Sequence, residues 1–201
     1  MRPLHPAETF YRFITPRWSH TPTSGAGASR FGGRFNRPGI DAIYLSRHIE
    51  TAAAEYRQDD PLIPPGTLVA YRVALSLIVD FEAGYIRGLW DELWSDWDCP
   101  WRKQCLYERI EPPSWLLGDL AMESGATGIV FPSTRHRGGT NLVLYPHRLE
   151  PGDDLSAYDP RSDLPSNQES WRCALAQCSR RQARPILEGS GKPIRNEPAR
   201  H

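Results

Sequence analysis

Apolar and polar residues alternate through ETFYRFI (8–14), the two-residue period of a half-buried strand. Periodicity then disappears over residues 15–39, where Pro, Gly and Ser accumulate, and this stretch reads as one long flexible loop. DAIYLS (41–46) predicts a short buried strand. RHIETAAAEYRQ (47–58) predicts a helix, with Ala at 52, 53 and 54 and Ser46 placed to cap it. GTLVAYRVALSLIVDF (66–81) alternates imperfectly through Leu68, Ala70, Val73, Leu75 and Leu77, but its β-branched content favours one long strand. PPSWLLGDLAMESG (112–125) predicts a helix with Pro near its start and Gly125 as its stop. TGIVFPS (127–133) and TNLVLYP (140–146) are two more apolar strands, joined by TRHRGG, whose Gly138 and Gly139 suit a tight connection. Residues 82–111, dense in Trp and charge, give no assignment. From about Asp159 the pattern collapses, and residues 161–201 hold eight Lys or Arg against four Asp or Glu. The expected organisation is a catalytic-size domain over 1–158 and a largely disordered, weakly basic tail over 159–201. Only WRCALAQCSRRQ (171–182) has helical character there.

Composition narrows the function classes. Lys plus Arg and Asp plus Glu both number 24, so the whole chain lacks the basic field of a nucleic-acid binder, and its arginines must be read locally. The N-terminus MRPLHPAETFYRF contains no signal-peptide core, and no apolar run reaches the length of a membrane span. A soluble cytoplasmic protein without membrane attachment is expected. Cys99, Cys105, Cys173 and Cys178 match neither a C-x2-C zinc site nor a small secreted disulfide scaffold. Free thiols and no bound metal are expected.

The chemistry-bearing stretch is GASRFGGRFNRPG (27–39), which sets Arg30, Arg34 and Arg37 among four glycines. Arginine offers a planar fork of donors to phosphate oxygens, and glycine lets backbone approach a phosphate closely. The stretch is neither a Walker loop nor the G-x-G-x-x-G dinucleotide fingerprint. By itself it reads more readily as a solvated turn than as a phosphate cradle. Glu55, placed in the first turns of the 47–58 helix, and Tyr44, eleven residues earlier, can both face the mouth of this loop. A carboxylate there suits a reaction in which positive charge develops at a sugar carbon, and Tyr44 suits stacking on a planar ring. A surface glutamate and a core tyrosine are the plainer alternatives. His48 is within reach of a ribose hydroxyl or simply on the surface. TRHRGG adds Ser133, Arg135 and Arg137 in a second polar connection, with His136 expected to be exposed. The Trp-rich LWDELWSDWDCPW has acidic interleaving, so it reads as packing rather than as a base-stacking platform.

Three motifs in order carry a family resemblance: YRF near the start, GGRFN-PG-AIYLS-TAAAE over 32–55 with Arg34 and Glu55, and GIVFPSTR-GGTNLVLY with Ser133. Together, over residues 8–150, the chain resembles the RES-domain toxins of bacterial toxin–antitoxin pairs, named for their Arg, Glu and Ser positions. Phe35 stands where that family commonly has Trp. The resemblance implies an α+β fold, a compact mixed β core with flanking helices similar to ADP-ribosyltransferase toxins. It further implies NAD as the substrate and an Xre-type helix-turn-helix antitoxin as the partner that blocks the active site, with oligomers possible in that complex.

Under the same resemblance Arg34, Glu55 and Ser133 are the catalytic set. Arg34 holds the pyrophosphate, with Arg30 in the same cationic loop, and Tyr44 packs against nicotinamide or its ribose. Ser133 donates near phosphate or ribose, and His48 is a further ribose contact. Glu55 binds a ribose hydroxyl and stabilises an oxocarbenium-like cation. The expected activity is cleavage of the nicotinamide–ribose bond with water or phosphate as acceptor. The alternatives are mono-ADP-ribosyl transfer to a protein and, from another class, a non-enzymatic module that binds nucleic acid. The acidic balance of residues 1–160, 16 basic against 20 acidic, opposes the last.

Overall fold

The computed structural model describes residues 1–169, so most of the tail expected over 159–201 lies outside the described residues. Met1–Ser166 forms the first compact unit of the chain. The first unit contains six strands and three α-helices: β1 (Arg2–Ile14), α1 (Ala26–Phe31), β2 (Ile43–Ser46), α2 (Ile49–Arg57), β3 (Thr67–Asp80), α3 (Pro113–Glu123), β4 (Gly128–Pro132), β5 (Thr140–Leu144) and β6 (Asp154–Ala157). The sheet runs β1-β2-β5-β4-β3-β6, and an additional β1–β3 pairing brings its first strand back to β3. Five strands thus form a closed ring, antiparallel except for β3 beside β4. This is an α+β fold with a mixed β core, as expected.

Strand alternation divides the apolar residues between two cores. Phe10, Ile14, Ile43, Leu45, Val69, Tyr71, Val73, Leu142 and Leu144 belong to the first, enclosed by the ring. Val79, Ile129, Phe131 and Val143 face the other way and pack with Phe35, Leu117 and Ala121 from the loop after α1 and from α3. Phe81, which follows β3, gathers Trp90, Trp94 and Trp97 around it with ring centroids 4.8, 4.7 and 5.6 Å away. The Trp-rich run is therefore packing. Residues 82–111, illegible in sequence, hold a 3-10 turn at Glu92–Asp96 and a π-type turn at Lys103–Glu108.

Four expectations need correction. Residues 15–39 are not wholly irregular, because α1 forms within them. The N-cap of α2 is His48, without a side-chain cap bond, while the Ser46 hydroxyl donates to Asn141 Oδ1 at 2.7 Å instead. Glu55 lies in the last turn of α2 rather than the first. Finally, β6 was not anticipated; its four residues pair with β3 and carry too little alternation to be seen locally.

The first compact unit extends past residue 158, to Ser166. Asp159 accepts the N–H groups of Asp163 and Leu164 at 2.9 and 3.0 Å, and the Leu164 side chain packs on the first core. A chain ending at residue 158 is expected to fold but to melt lower than one ending at 166. Partial burial of one Leu contributes about 1 kcal/mol, which is about 3 °C for a domain of this size. Thermal melts followed by circular dichroism check this; coincident curves would show that the 159–166 segment adds nothing to the core.

Candidate active site

The arginine loop is braced, not flexible. Gly32, at φ +77°, ends α1 with its N–H on the Ala28 carbonyl at 2.8 Å, a left-handed conformation that favours glycine. Asn36 is fully buried, and its Nδ2 lies 2.9 to 3.1 Å from the carbonyls of Ala28, Arg37 and Ile40. Its Oδ1 accepts the Tyr44 hydroxyl at 2.8 Å, and that hydroxyl in turn accepts the Phe35 N–H at 2.9 Å. The Trp115 indole N–H on α3 donates to the Gly33 carbonyl, and the Tyr145 hydroxyl donates to that of Phe35. Burial lifts the Tyr44 and Tyr145 hydroxyls well above the usual tyrosine range, so both stay neutral donors at physiological pH.

The loop's cations separate. Arg37 is committed to structure: its guanidinium pairs with Asp119 and Glu111, each at 2.7 Å. Arg30 lies on α1, exposed, with its guanidinium 5.1 Å from the Phe31 ring. Arg34 points elsewhere. Its Nη1 donates to the carbonyls of Trp97 and Cys99 at 3.0 and 3.1 Å, its Nη2 to Thr134 Oγ1 at 3.2 Å, and the group lies 5.8 Å from the Trp97 ring. Burial pulls its pKa below the ordinary arginine value, against the pull of nearby Cys99 and Glu55. Among the described residues Arg34 has no salt bridge, so the cation lacks a directly bonded counter-charge.

Glu55 is held from β4's end and from β5. The Ser133 hydroxyl donates to Glu55 Oε1 at 2.7 Å, and Asn141 Nδ2 donates to the same oxygen at 2.6 Å. Both bonds fall on Oε1, and no protein donor among the described residues meets Oε2. Ser133 Oγ also accepts the N–H groups of Arg135 and His136 at 3.1 and 3.0 Å, which uses its lone pairs and directs its proton to the carboxylate. Thr134, the next residue, is the one that Arg34 reaches. Arg34, Glu55 and Ser133, separated by up to 99 positions in sequence, therefore converge on one turn.

The remaining candidates divide. Tyr44 is half-buried beside Arg34, with its hydroxyl spent on the loop cage, so it is a brace whose ring alone can meet a ligand. His48 is exposed at the start of α2, and neither it nor Arg30 joins the Glu55 cluster. His136 Nδ1 lies 2.8 Å from Thr51 Oγ1, so it is engaged and not the free surface group expected. Two contributors escaped sequence reading, Asn141 and Thr134, and Ser46 serves Asn141 rather than capping α2. Asn141 did leave a signal, as the one amide in the apolar TNLVLYP strand; a buried polar residue in such a strand needs a partner.

Among the described residues no group of three or more His, Cys, Asp or Glu could hold a metal ion. No helix among them is long and apolar enough to cross a membrane. The cluster offers a fixed carboxylate oxygen beside a cation without a counter-charge, which suits a ligand with an anionic part and a hydroxylated or cationic one.

Comparisons with known proteins bear on this geometry. A family model described as the RES domain matches residues 9–167 and so includes every member of the cluster. Two curated proteins named Toxin Res are similar. The one from Yersinia enterocolitica is 26% identical over 156 residues, 76% of this chain and 93% of that protein. The one from Photorhabdus laumondii is 26% identical over 140 residues, 68% of this chain and 80% of that protein. Among solved structures, a chain of the M. tuberculosis MbcT-MbcA toxin–antitoxin complex superposes with a TM-score of 0.52 at 22% identity, over 78% of this chain and 84% of that one. That likeness is one of fold.

Proposed function

The chain belongs to the RES domain family, and from that premise we propose that it is the toxin of a toxin–antitoxin pair and acts by cleaving NAD at the nicotinamide–ribose bond. The observation that carries the reading is the Glu55 carboxylate pinned through Oε1 by Ser133 and Asn141, with the Arg34 guanidinium, which has no salt bridge among the described residues, gathered on the same turn.

The chemistry follows from those charges. Breaking the C1′–N bond sends the electron pair to nicotinamide and leaves an oxocarbenium-like cation at the ribose carbon. Glu55 Oε2, which no protein donor meets among the described residues, is left to accept a ribose hydroxyl and to stabilise the cation electrostatically, and Ser133 and Asn141 keep the carboxylate from rotating away. The Nε and second Nη2 hydrogens of Arg34 remain for pyrophosphate oxygens, in the paired geometry that a guanidinium provides. Water or phosphate then adds at C1′. The fold-level likeness to ADP-ribosyltransferase toxins belongs to this proposal, as do a cytoplasmic location and an Xre-type antitoxin covering the site.

The acceptor is expected to be small. A protein acceptor must be held within about 3 to 3.5 Å of the sugar carbon, which calls for a dedicated recognition surface, whereas a small molecule needs only access. Radiolabelled NAD added to the protein in cell lysate is expected to end as nicotinamide plus free or phosphorylated ADP-ribose. Stoichiometric labelling of one protein band with NAD barely depleted would replace this reading by mono-ADP-ribosyl transfer. No turnover, together with salt-sensitive nucleic-acid binding, would replace it by the binding module.

A further inference from the structure

Two further arginines meet at the C-terminal end of α2, a short step beyond Glu55. Arg102, from the segment leading into the π-type turn, donates through Nη1 to Gln58 Oε1 and lies 5.0 Å from the Trp101 ring. Arg135, from the β4–β5 turn, pairs with Asp59, its Nη2 at 3.3 Å from Oδ2. Gln58 and Asp59 are consecutive, so two guanidiniums from segments about thirty positions apart are tied to one corner. The same corner adjoins the cluster, because the Arg135 N–H donates to Ser133 Oγ and Ser133 donates to Glu55. Gln58 is neutral, so among the described residues Arg102 has no bonded counter-charge, and Asp59 serves Arg135 alone.

At this corner Asp59 is the one carboxylate bonded to either guanidinium among the described residues, while Asp98 lies on the Arg34 side of the turn. Desolvation and the neighbouring Arg135 both hold the Arg102 pKa below the ordinary value, against the pull of Glu55 and Asp59. Two like charges brought to one corner repel, and Asp59, bonded to Arg135, offsets one of them. An anion with several oxygens accepts from both forks at once and removes the repulsion.

We propose that Arg102 and Arg135 form a second phosphate-oxygen site, distinct from Arg34 and adjoining Glu55 and Ser133. The proposal deepens the reading of the site given above and rests on it for the identity of the larger substrate. Its ligand is a phosphate group, either free phosphate arriving as the acceptor or a phosphate of the dinucleotide.

Calorimetric titration of the full chain with inorganic phosphate and, separately, inorganic pyrophosphate tests it without any turnover. Arg102→Gln plus Arg135→Gln is expected to weaken binding by about tenfold or more, while Arg87→Gln, which removes one exposed cation elsewhere, changes it by less than about twofold. Circular dichroism confirms that the variants fold. NAD turnover then separates the two sources. A rise in the phosphate concentration needed for half-maximal rate, with KM for NAD unchanged, identifies free phosphate; a rise in KM for NAD identifies the dinucleotide. Absence of binding by either anion, or equal binding by the folded double variant, overturns the site. Lost anion binding in a protein that never cleaves NAD would keep the site and remove the reading on which its substrate rests.

Discussion

Replacing Glu55 by Gln or Arg34 by Ala is expected to reduce NAD turnover by about a hundredfold to a thousandfold, the loss seen when a preorganised electrostatic contact to the transition state is removed. Glu55→Gln keeps the size of the side chain and the acceptor for Ser133 and Asn141, so the fold should persist while the negative charge facing the ribose carbon disappears. The deficit should therefore appear in kcat. Arg34→Ala is a harsher change, because the same guanidinium also ties the Trp97 and Cys99 carbonyls to the loop. Arg34→Lys is the informative companion: an ammonium restores charge without the fork, so partial recovery at most is expected. Rates within about threefold of the parent in a folded Glu55→Gln variant would remove Glu55 from the reaction.

The largest stability effect is expected at Gly118. A Cβ there would overlap the Phe35 carbonyl, which already accepts the Tyr145 hydroxyl, so α3 and the arginine loop would have to separate. Neither side has room to yield: Trp115 and Arg37 fasten the same helix to the same loop. Gly118→Ala is expected to cost about 3 kcal/mol, the upper end of overpacking in a close-packed core, and to lower Tm by roughly 10 °C. Helix propensity would predict the opposite sign, since alanine is the better helix former by about 1 kcal/mol. The same substitution at Gly27, where a Cβ meets nothing, is the control. A Gly118→Ala protein that melts with the parent would show that loop and helix are not in tight contact. A calorimetric melt of the three proteins decides it.

Sequence by itself determined the elements whose periodicity or composition is local. β1 from residue 8 onward, β2, α2, β3, α3, β4 and β5 are all recognisable there, because each buries one face or both and so writes its own pattern of apolar positions. The Arg, Glu and Ser motifs were legible too, as residues spaced within or beside those elements. Tertiary structure decided which of the three loop arginines is available. Arg37 is claimed by Glu111 and Asp119 across 74 and 82 positions, and Arg34 is set by carbonyls 63 and 65 positions away, in a segment without readable periodicity. It also decided that a glycine-rich loop is braced, since the groups that fasten its buried Asn36 and its carbonyls come from Tyr44, Trp115 and Tyr145 on separate elements. Hydrogen bonds and ion pairs between residues so distant leave no trace in any window of the chain. They exist only once α3 and the arginine loop pack against the sheet through the second core.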